Sequence, residues 1–350
     1  MNVLRGKKLL FVFFLAFGIR LLFALITRES VDAADANALD DLAQWGGFGV
    51  SQAPLYPLML RAVYAICGPG NLAAVFILQA LVGSFTVLFM SLIASRLWSE
   101  RTGLAAGLIG AVYPDFIFYG VSVETESLVV LCVVSMMAIA VIDLKDTVKA
   151  LVLGVVLGLG VLIQANLVLF LPGLLLTARR RLVICAAFAA ILVPWMTLSS
   201  VAHRQFAPAQ NARDYARVSM FTYFAENAKS FRRQMNRIYV NALFLYNRHY
   251  ESREEEESVS EGKADVSYFV RKYSYLVVLL LGSFATAKYL RAEHRGVALP
   301  PLAAFGLLIL LVMLNDGRHR VFLEPLLIIY LARMFVRERP ERALGGMRNG

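Results

Sequence analysis

Charge is scarce in this chain. Of its 350 residues, 17% are Asp, Glu, Lys or Arg, 59% are hydrophobic, and mean hydropathy is +0.63. Soluble domains average about 25% charged and roughly 45–50% apolar, so a water-soluble globular domain is excluded. Cysteine is almost absent. Cys67, Cys132 and Cys185 lie far apart without metal-ligand spacing, which excludes a disulfide framework and a zinc site. His203, His249 and His294 have no ligand spacing either, and no role is assigned to them. A basic stripe interleaved with aromatics is missing, so the net charge of +10 gives no reason to expect nucleic acid. No repeat of fixed period is found. No small-x-small cleavage site follows the first apolar run, which therefore reads as a retained span and not as a cleaved signal peptide.

Long apolar runs are what the chain has instead. Each is long enough to cross about 30 Å of hydrocarbon, and a chain in lipid must satisfy its backbone internally, so helices are expected. The pattern predicts an all-α polytopic membrane protein of about ten spans, at 8–27, 72–95, 104–121, 126–143, 148–164, 165–178, 182–200, 273–290, 298–314 and 320–336. The fifth and sixth are nearly continuous through "LGLGVLIQANLVLFLPG" and read as either a tight hairpin or a broken helix. Lys and Arg fall on every second loop: 5–8, 96–101, 145–149, 179–181, 288–295 and 337–342. The positive-inside rule then places both termini in the cytoplasm, as in a multi-pass protein of a bacterial inner membrane. Residues 1–350 form a single transmembrane domain in this reading. Its outer, periplasmic face carries a first loop at 28–71 and a second outer segment at 201–272. Within the first, "APLYPLMLRAVYAI" has the spacing of an amphipathic helix lying on the membrane. The second combines an amphipathic stretch, "AKSFRRQMNRIYVNALFLYN", with a charged run that reads as a mobile loop.

Candidate chemistry gathers at the outer face. Asp32, Asp35, Asp40 and Asp41 crowd the exit of the first span. If this part is helical, Asp32 and Asp35 share a face, and a carboxylate near an apolar surface can accept a proton from a nucleophile. A solvated loop whose acidic residues avoid the cytoplasmic side is the plainer account of them on spacing alone. Glu124 and Glu126 open the fourth span, where a carboxylate also suits a helix N-terminus. Arg318, His319 and Arg320 in "NDGRHRVFLEP" run against the positive-inside trend and ask for an anionic partner, either a phosphate or the nearby aspartates. Glu324 falls within a span, where an ionisable group is costly and usually faces a cavity or a partner. Arg20, about two-thirds across the first span, either snorkels to the interface or reaches a lipid phosphate, Glu324 or a first-loop aspartate. Gln164 and Asn166 flank the possible helix break. Tyr113, Pro114 and Tyr119 are expected to shape an interface turn and its aromatic belt.

The order of these features resembles the polytopic, lipid-phosphosugar-dependent glycosyltransferases of the GT-C fold. The nearest likeness is to the branch of dolichyl-phosphate-mannose protein mannosyltransferases and lipid A aminoarabinose transferases. The likeness rests on "GIRLLFAL", "GGFG…APLYPLMLRAVYAICG", "LQALVGSFTVLFMSLIASRLW" followed by "RTGLAAGLIGAVYPDFIFYGVSVETESL", "VPW" at 193–195, and "RHRVFLEPLL". It implies a GT-C helical bundle with two amphipathic helices in the first outer loop, and inverting transfer of a sugar from a polyprenyl-phosphate donor. It also implies a catalytic Asp at Asp32 or Asp35, a second acidic residue at Glu126, and a late arginine motif at Arg318 and Arg320. Gln164 stands where the family pattern has an arginine, and "MTLSS" replaces the usual "RN" after "PW". Ala36 occupies the position where an aromatic often follows the catalytic Asp.

These features point to a membrane glycosyltransferase acting on the outer face. Asp32 or Asp35 is the expected base, with Glu126 orienting the acceptor or a divalent metal. Arg20, Arg318, His319, Arg320, Glu324, Tyr56 and Gln164 are the candidates for binding lipid phosphate or sugar. No cofactor is required by the pattern, and a divalent metal is left open. The expected partners are a polyprenyl-phosphate-linked sugar, a glycan, lipid or protein acceptor, and membrane lipid. Two alternatives stand: a catalytically silent subunit of a cell-envelope glycan machine, and a lipid-linked sugar translocator.

Overall fold

The computed structural model describes residues 3–26, 53–203, 266–291, 294–312 and 321–336, and every regular element among them is helical. In chain order these are α1 (Val3–Ile26), α2 (Leu55–Cys67), α3 (Leu72–Leu97), α4 (Glu100–Val112), α5 (Pro114–Tyr119), α6 (Glu126–Val141) and α7 (Asp146–Ile163). A 3-10 turn (Ala165–Leu169) follows, then α8 (Phe170–Thr177), α9 (Arg181–His203), α10 (Val266–Tyr289), α11 (Arg295–Val312) and α12 (Glu324–Phe335). Among the described residues four helices are long and apolar enough to cross a membrane: Gly6–Ile26, Leu72–Leu97, Asp146–Ile163 and Arg181–Leu198. The chain thus reads as an integral membrane protein; the sequence suggested about ten spans, and four helices among the described residues meet this length and apolarity.

Local chemistry explains part of that difference. The expected span at 104–121 is two helices, because Tyr113 is extended (φ −68°, ψ 121°) and Pro114 opens α5. Proline lacks the amide hydrogen that a continuous helix would need there, yet it fits the first turn of a new one. Tyr113 and Tyr119 do shape this turn, but both are buried against Phe116 and Phe118 and do not form an aromatic belt. At the fifth and sixth spans the structure chooses the hairpin. Gln164 is extended (φ −150°, ψ 117°) and ends α7. The chain then returns through the 3-10 turn and α8, bringing Arg179 to 3.4 Å from Asp146 at the start of α7.

Three ion pairs mark one end of the bundle. Lys8 meets Glu100 at 2.9 Å, Arg96 meets Asp143 at 4.0 Å, and Arg179 meets Asp146. These loops are four of the basic groups that the alternation placed on one side. Ser99 starts α4 there by accepting the Thr102 amide at 3.3 Å. Ser99→Ala should lower stability by about 1 kcal/mol, read from denaturant unfolding of the purified protein in detergent; an unchanged midpoint would show that the cap is redundant.

Close helix approach uses small residues. On α7, a side-chain carbon at Gly154 would fall 2.6 Å from the Ile184 carbonyl oxygen, and one at Gly158 would fall 2.8 Å from Ile191. This small-xxx-small face lets α9 lie against α7. The α2–α3 turn uses Gly68 (φ 98°) and Gly70 (φ 67°) in conformations that favour glycine, and Asn71 then caps α3 by accepting from Ala74 at 3.2 Å. α12 lies at the centre of the bundle. Residues 321–332 are buried without interruption, and α12 packs on α3, α4 and α10, as expected of a helix that is apolar on every side.

Candidate active site

The end of the bundle opposite the ion pairs holds a polar cluster. On α3, Gln79 and Arg96 are about 26 Å apart along the axis at 1.5 Å per residue, so Gln79 belongs to the far end. There an apolar seat is formed by Ala24 of α1, Tyr56, Leu60 and Tyr64 of α2, Val75 and Phe76 of α3, and Val121 and Val123 of the turn before α6. Spacing explains the α2 contribution: Tyr56, Leu60 and Tyr64 recur every fourth residue, forming the buried face of the amphipathic helix.

Polar groups are set into this seat. The Gln79 amide nitrogen donates to the Tyr56 hydroxyl oxygen at 2.7 Å and to the Glu124 carbonyl at 3.2 Å. This bond ties the amphipathic helix to the turn that delivers Glu126. Glu126 is buried in the first turn of α6, where its carboxylate meets the favourable end of the helix dipole and lies 3.4 Å from the Thr125 hydroxyl. Burial holds the Tyr56 hydroxyl well above its ordinary pKa; the charges of Glu124 and Glu126 and the neighbouring Tyr64 push the same way, against the Gln79 hydrogen bond. Tyr56 is therefore a protonated donor at neutral pH.

Arg20 sits just below. It is fully buried and does not snorkel. One terminal nitrogen, Nη1, donates to the Ala16 carbonyl at 3.0 Å. Its stem passes between two glycines: a side-chain carbon at Gly83 would fall 2.6 Å from Nε, and one at Gly120 would fall 3.0 Å from Cδ. Gly83→Ala should therefore displace the guanidinium and destabilise the fold by about 1–3 kcal/mol. Gly18→Ala, where nothing lies within 4 Å, should be close to neutral. Equal unfolding midpoints for the two variants would rule out a tight cradle.

Some expected residues are placed elsewhere. Glu324 is fully buried at the start of α12, among the core residues Val321 to Leu323, with Phe322 on Phe170, and not in the Tyr56 cluster. Tyr330, about 9 Å further along α12, packs on Trp98 at the ion-paired end of α3, so Glu324 lies nearer that end than Glu126 does. Gln164 is the residue that breaks α7. Asp32, Asp35, Asp40, Asp41, Arg318, His319, Arg320 and the amphipathic and charged stretches between 204 and 265 lie outside the described residues. Among the described residues no group of three or more His, Cys, Asp or Glu side chains is placed to hold a metal ion.

Sequence reading passed over three residues that matter here. Gln79 and Gly83, one turn apart in an apolar run, carry a weak signal: a lone amide inside a span needs a partner. Asp115 was the stronger signal, an ionisable residue amid apolar neighbours. It is fully buried and pairs with Arg271 of α10 at 2.8 Å, and the Arg271 guanidinium lies 3.8 Å from the centre of the Phe118 ring.

Residues 51–203 match the model of a family described as dolichyl-phosphate-mannose-protein mannosyltransferase. The matched stretch runs from just before α2 to the end of α9. It contains Tyr56, Gln79, Gly83, Gly120, Glu124 and Glu126, and leaves out Arg20 and Glu324. No curated protein matches the chain.

Proposed function

We propose that this protein is a membrane glycosyltransferase that moves a sugar from a polyprenyl-phosphate donor to an acceptor at the outer face. The observation that carries the reading is the mannosyltransferase family match across the helices that build the Tyr56–Gln79–Glu124 cluster. The location of the cluster adds support. α1 and α2 both contribute to it, and the acidic segment carrying Asp32 and Asp35 joins these two helices in sequence.

The chemistry follows from these groups. Asp32 or Asp35 takes the proton of the acceptor hydroxyl. The acceptor oxygen attacks the anomeric carbon from the face opposite the phosphate, which inverts the configuration. The bond from carbon to phosphate oxygen breaks, and its electron pair leaves with the lipid phosphate. Arg20, together with Arg318 and Arg320, stabilises the charge developing there. Glu126 orients the acceptor. Protonated Tyr56 supplies a neutral hydrogen-bond donor that does not compete for the proton. The donor class follows from the family likeness and from a cation buried among apolar helices, where a lipid-borne phosphate would neutralise it. In this reading the ion-paired end is cytoplasmic and the site faces the periplasm.

A lipid-linked sugar translocator is the second reading. The depth of Glu324 favours it, because transporters place their sites near the midplane. Sugar transfer from a panel of polyprenyl-phosphate donors by the purified protein tests the two. Turnover supports the transferase; flipping of the lipid in vesicles without turnover supports the translocator.

A further inference from the structure

The orientation of the Gln79 amide is fixed by chemistry. The Glu124 carbonyl can only accept, so the Gln79 nitrogen faces it and the amide oxygen points away. The two hydrogens on that nitrogen are used by Glu124 and by the Tyr56 oxygen. Tyr56 therefore accepts from Gln79, and its own proton is left to donate elsewhere. Gln79 Oε1 is buried and has no hydrogen-bond partner among the described residues. An acceptor and a donor thus stand side by side, both unused by this contact.

One turn along the same face of α3, Gly83 makes room for Arg20. Its Nη1 is held by Ala16, while Nε and Nη2 are buried without a partner among the described residues. Nε–H and Nη2–H form one edge of the guanidinium fork. Their parallel geometry matches two oxygens of one phosphate.

We propose that this face of α3 seats the phosphosugar head of the donor, with the unpaired Arg20 edge on the phosphate and the Gln79–Tyr56 pair on one sugar hydroxyl. Gln79 is then the residue that reads the sugar. The inference rests on the glycosyl-transfer reading and adds to it a residue that decides specificity. One hydroxyl both donates and accepts, so it satisfies Tyr56 and Gln79 together. The methylene of a deoxysugar satisfies neither, and it leaves a buried acceptor unpaired, which is how a polar site rejects an analogue. Positions four apart on a helix are roughly 6 Å apart, comparable with the separation of an anomeric phosphate and a ring hydroxyl.

The test is binding by the full-length protein in detergent. The probes are polyprenyl phosphate alone, carriers of several hexoses, and for the best-bound hexose a series lacking each ring hydroxyl in turn. Two hydrogen bonds at about 0.5–1.5 kcal/mol each predict roughly tenfold tighter binding of the hexosyl carrier than of one deoxy member. Gln79→Leu removes one of the two bonds and should cut that preference to about threefold, with affinity for bare polyprenyl phosphate unchanged. If this variant does not fold, Tyr56→Phe, which keeps the ring, carries the same expectation. A preference that stays at its full size in both variants overturns the inference. So does a wild-type protein that binds every deoxy member equally, since the pair would then hold only a buried water. In both cases the lipid carrier still binds and the glycosyl-transfer reading survives. Failure to bind any carrier overturns both.

Discussion

Asparagine at the base aspartate, Asp32 or Asp35, is expected to lower the rate of sugar transfer by about 10²–10⁴-fold, the usual worth of a positioned general base. Asparagine has nearly the same shape and cannot take the proton of the acceptor hydroxyl. Binding of the lipid phosphate should be unchanged, because the proposed mechanism gives that task to the arginines. The loss should thus appear in kcat and kcat/KM together, as for an interaction made only in the transition state. Only one of the two aspartates should show it. Glu126→Gln should have a smaller effect and raise KM for the acceptor, since in the proposed mechanism Glu126 orients the acceptor and does not deprotonate it. The measurement is steady-state transfer by purified variants at equal folded yield. Turnover by Asp32→Asn and Asp35→Asn at the wild-type rate would remove the proposed mechanism. A wild-type protein inert toward every donor would move the silent-subunit reading ahead.

The second large effect concerns stability. Arg271→Leu should destabilise the fold by about 3–5 kcal/mol, the cost of leaving one member of a buried ion pair without the other. Asp115 is fully buried, and the Arg271 side chain is 15% exposed, so water reaches the site too little to replace the guanidinium. Replacing both partners, Asp115→Leu with Arg271→Leu, should recover much of the loss, because two apolar side chains in the same space carry no desolvation penalty. Arg271→Lys should not be a silent change: the flat guanidinium lies over Phe118, and an ammonium lacks that stacking surface. Denaturant unfolding of the two single variants and the double variant reads all of this. A single variant within about 0.5 kcal/mol of wild type would show that the pair does not hold α5 to α10.

Much of this architecture is legible in the chain because apolar length and helix-start chemistry are local. The start of α3 at Asn71 and of α6 at Glu126 can be read within one or two residues of where they lie, and the four long apolar helices lie close to the expected limits. Four of the six basic groups set by alternation share ion pairs at one end. The span at 104–121 was read through Pro114 because its apolarity outweighed the proline. Short helices that depend on burial by neighbours, such as α5 and α8, carry little periodic signal of their own. The site divides in the same way. Arg20 was visible as a cation inside a span, but its burial between Gly83 and Gly120 depends on elements far away in sequence. The Asp115–Arg271 pair joins residues 156 positions apart, and no local pattern links them. Gln79 escaped because one amide in a long apolar run resembles a tolerated polar residue until its two acceptors are seen.

The position of α12 has a consequence for biogenesis. Residues 321–332 are enclosed on every side, yet α12 is the last described helix to emerge during synthesis. The helices made earlier must reach the bilayer while the place at their centre is vacant. Until α12 arrives, the surfaces of α3, α4 and α10 that will enclose it face lipid or a membrane chaperone. A chain interrupted before Glu324 would leave those surfaces without the helix that covers them.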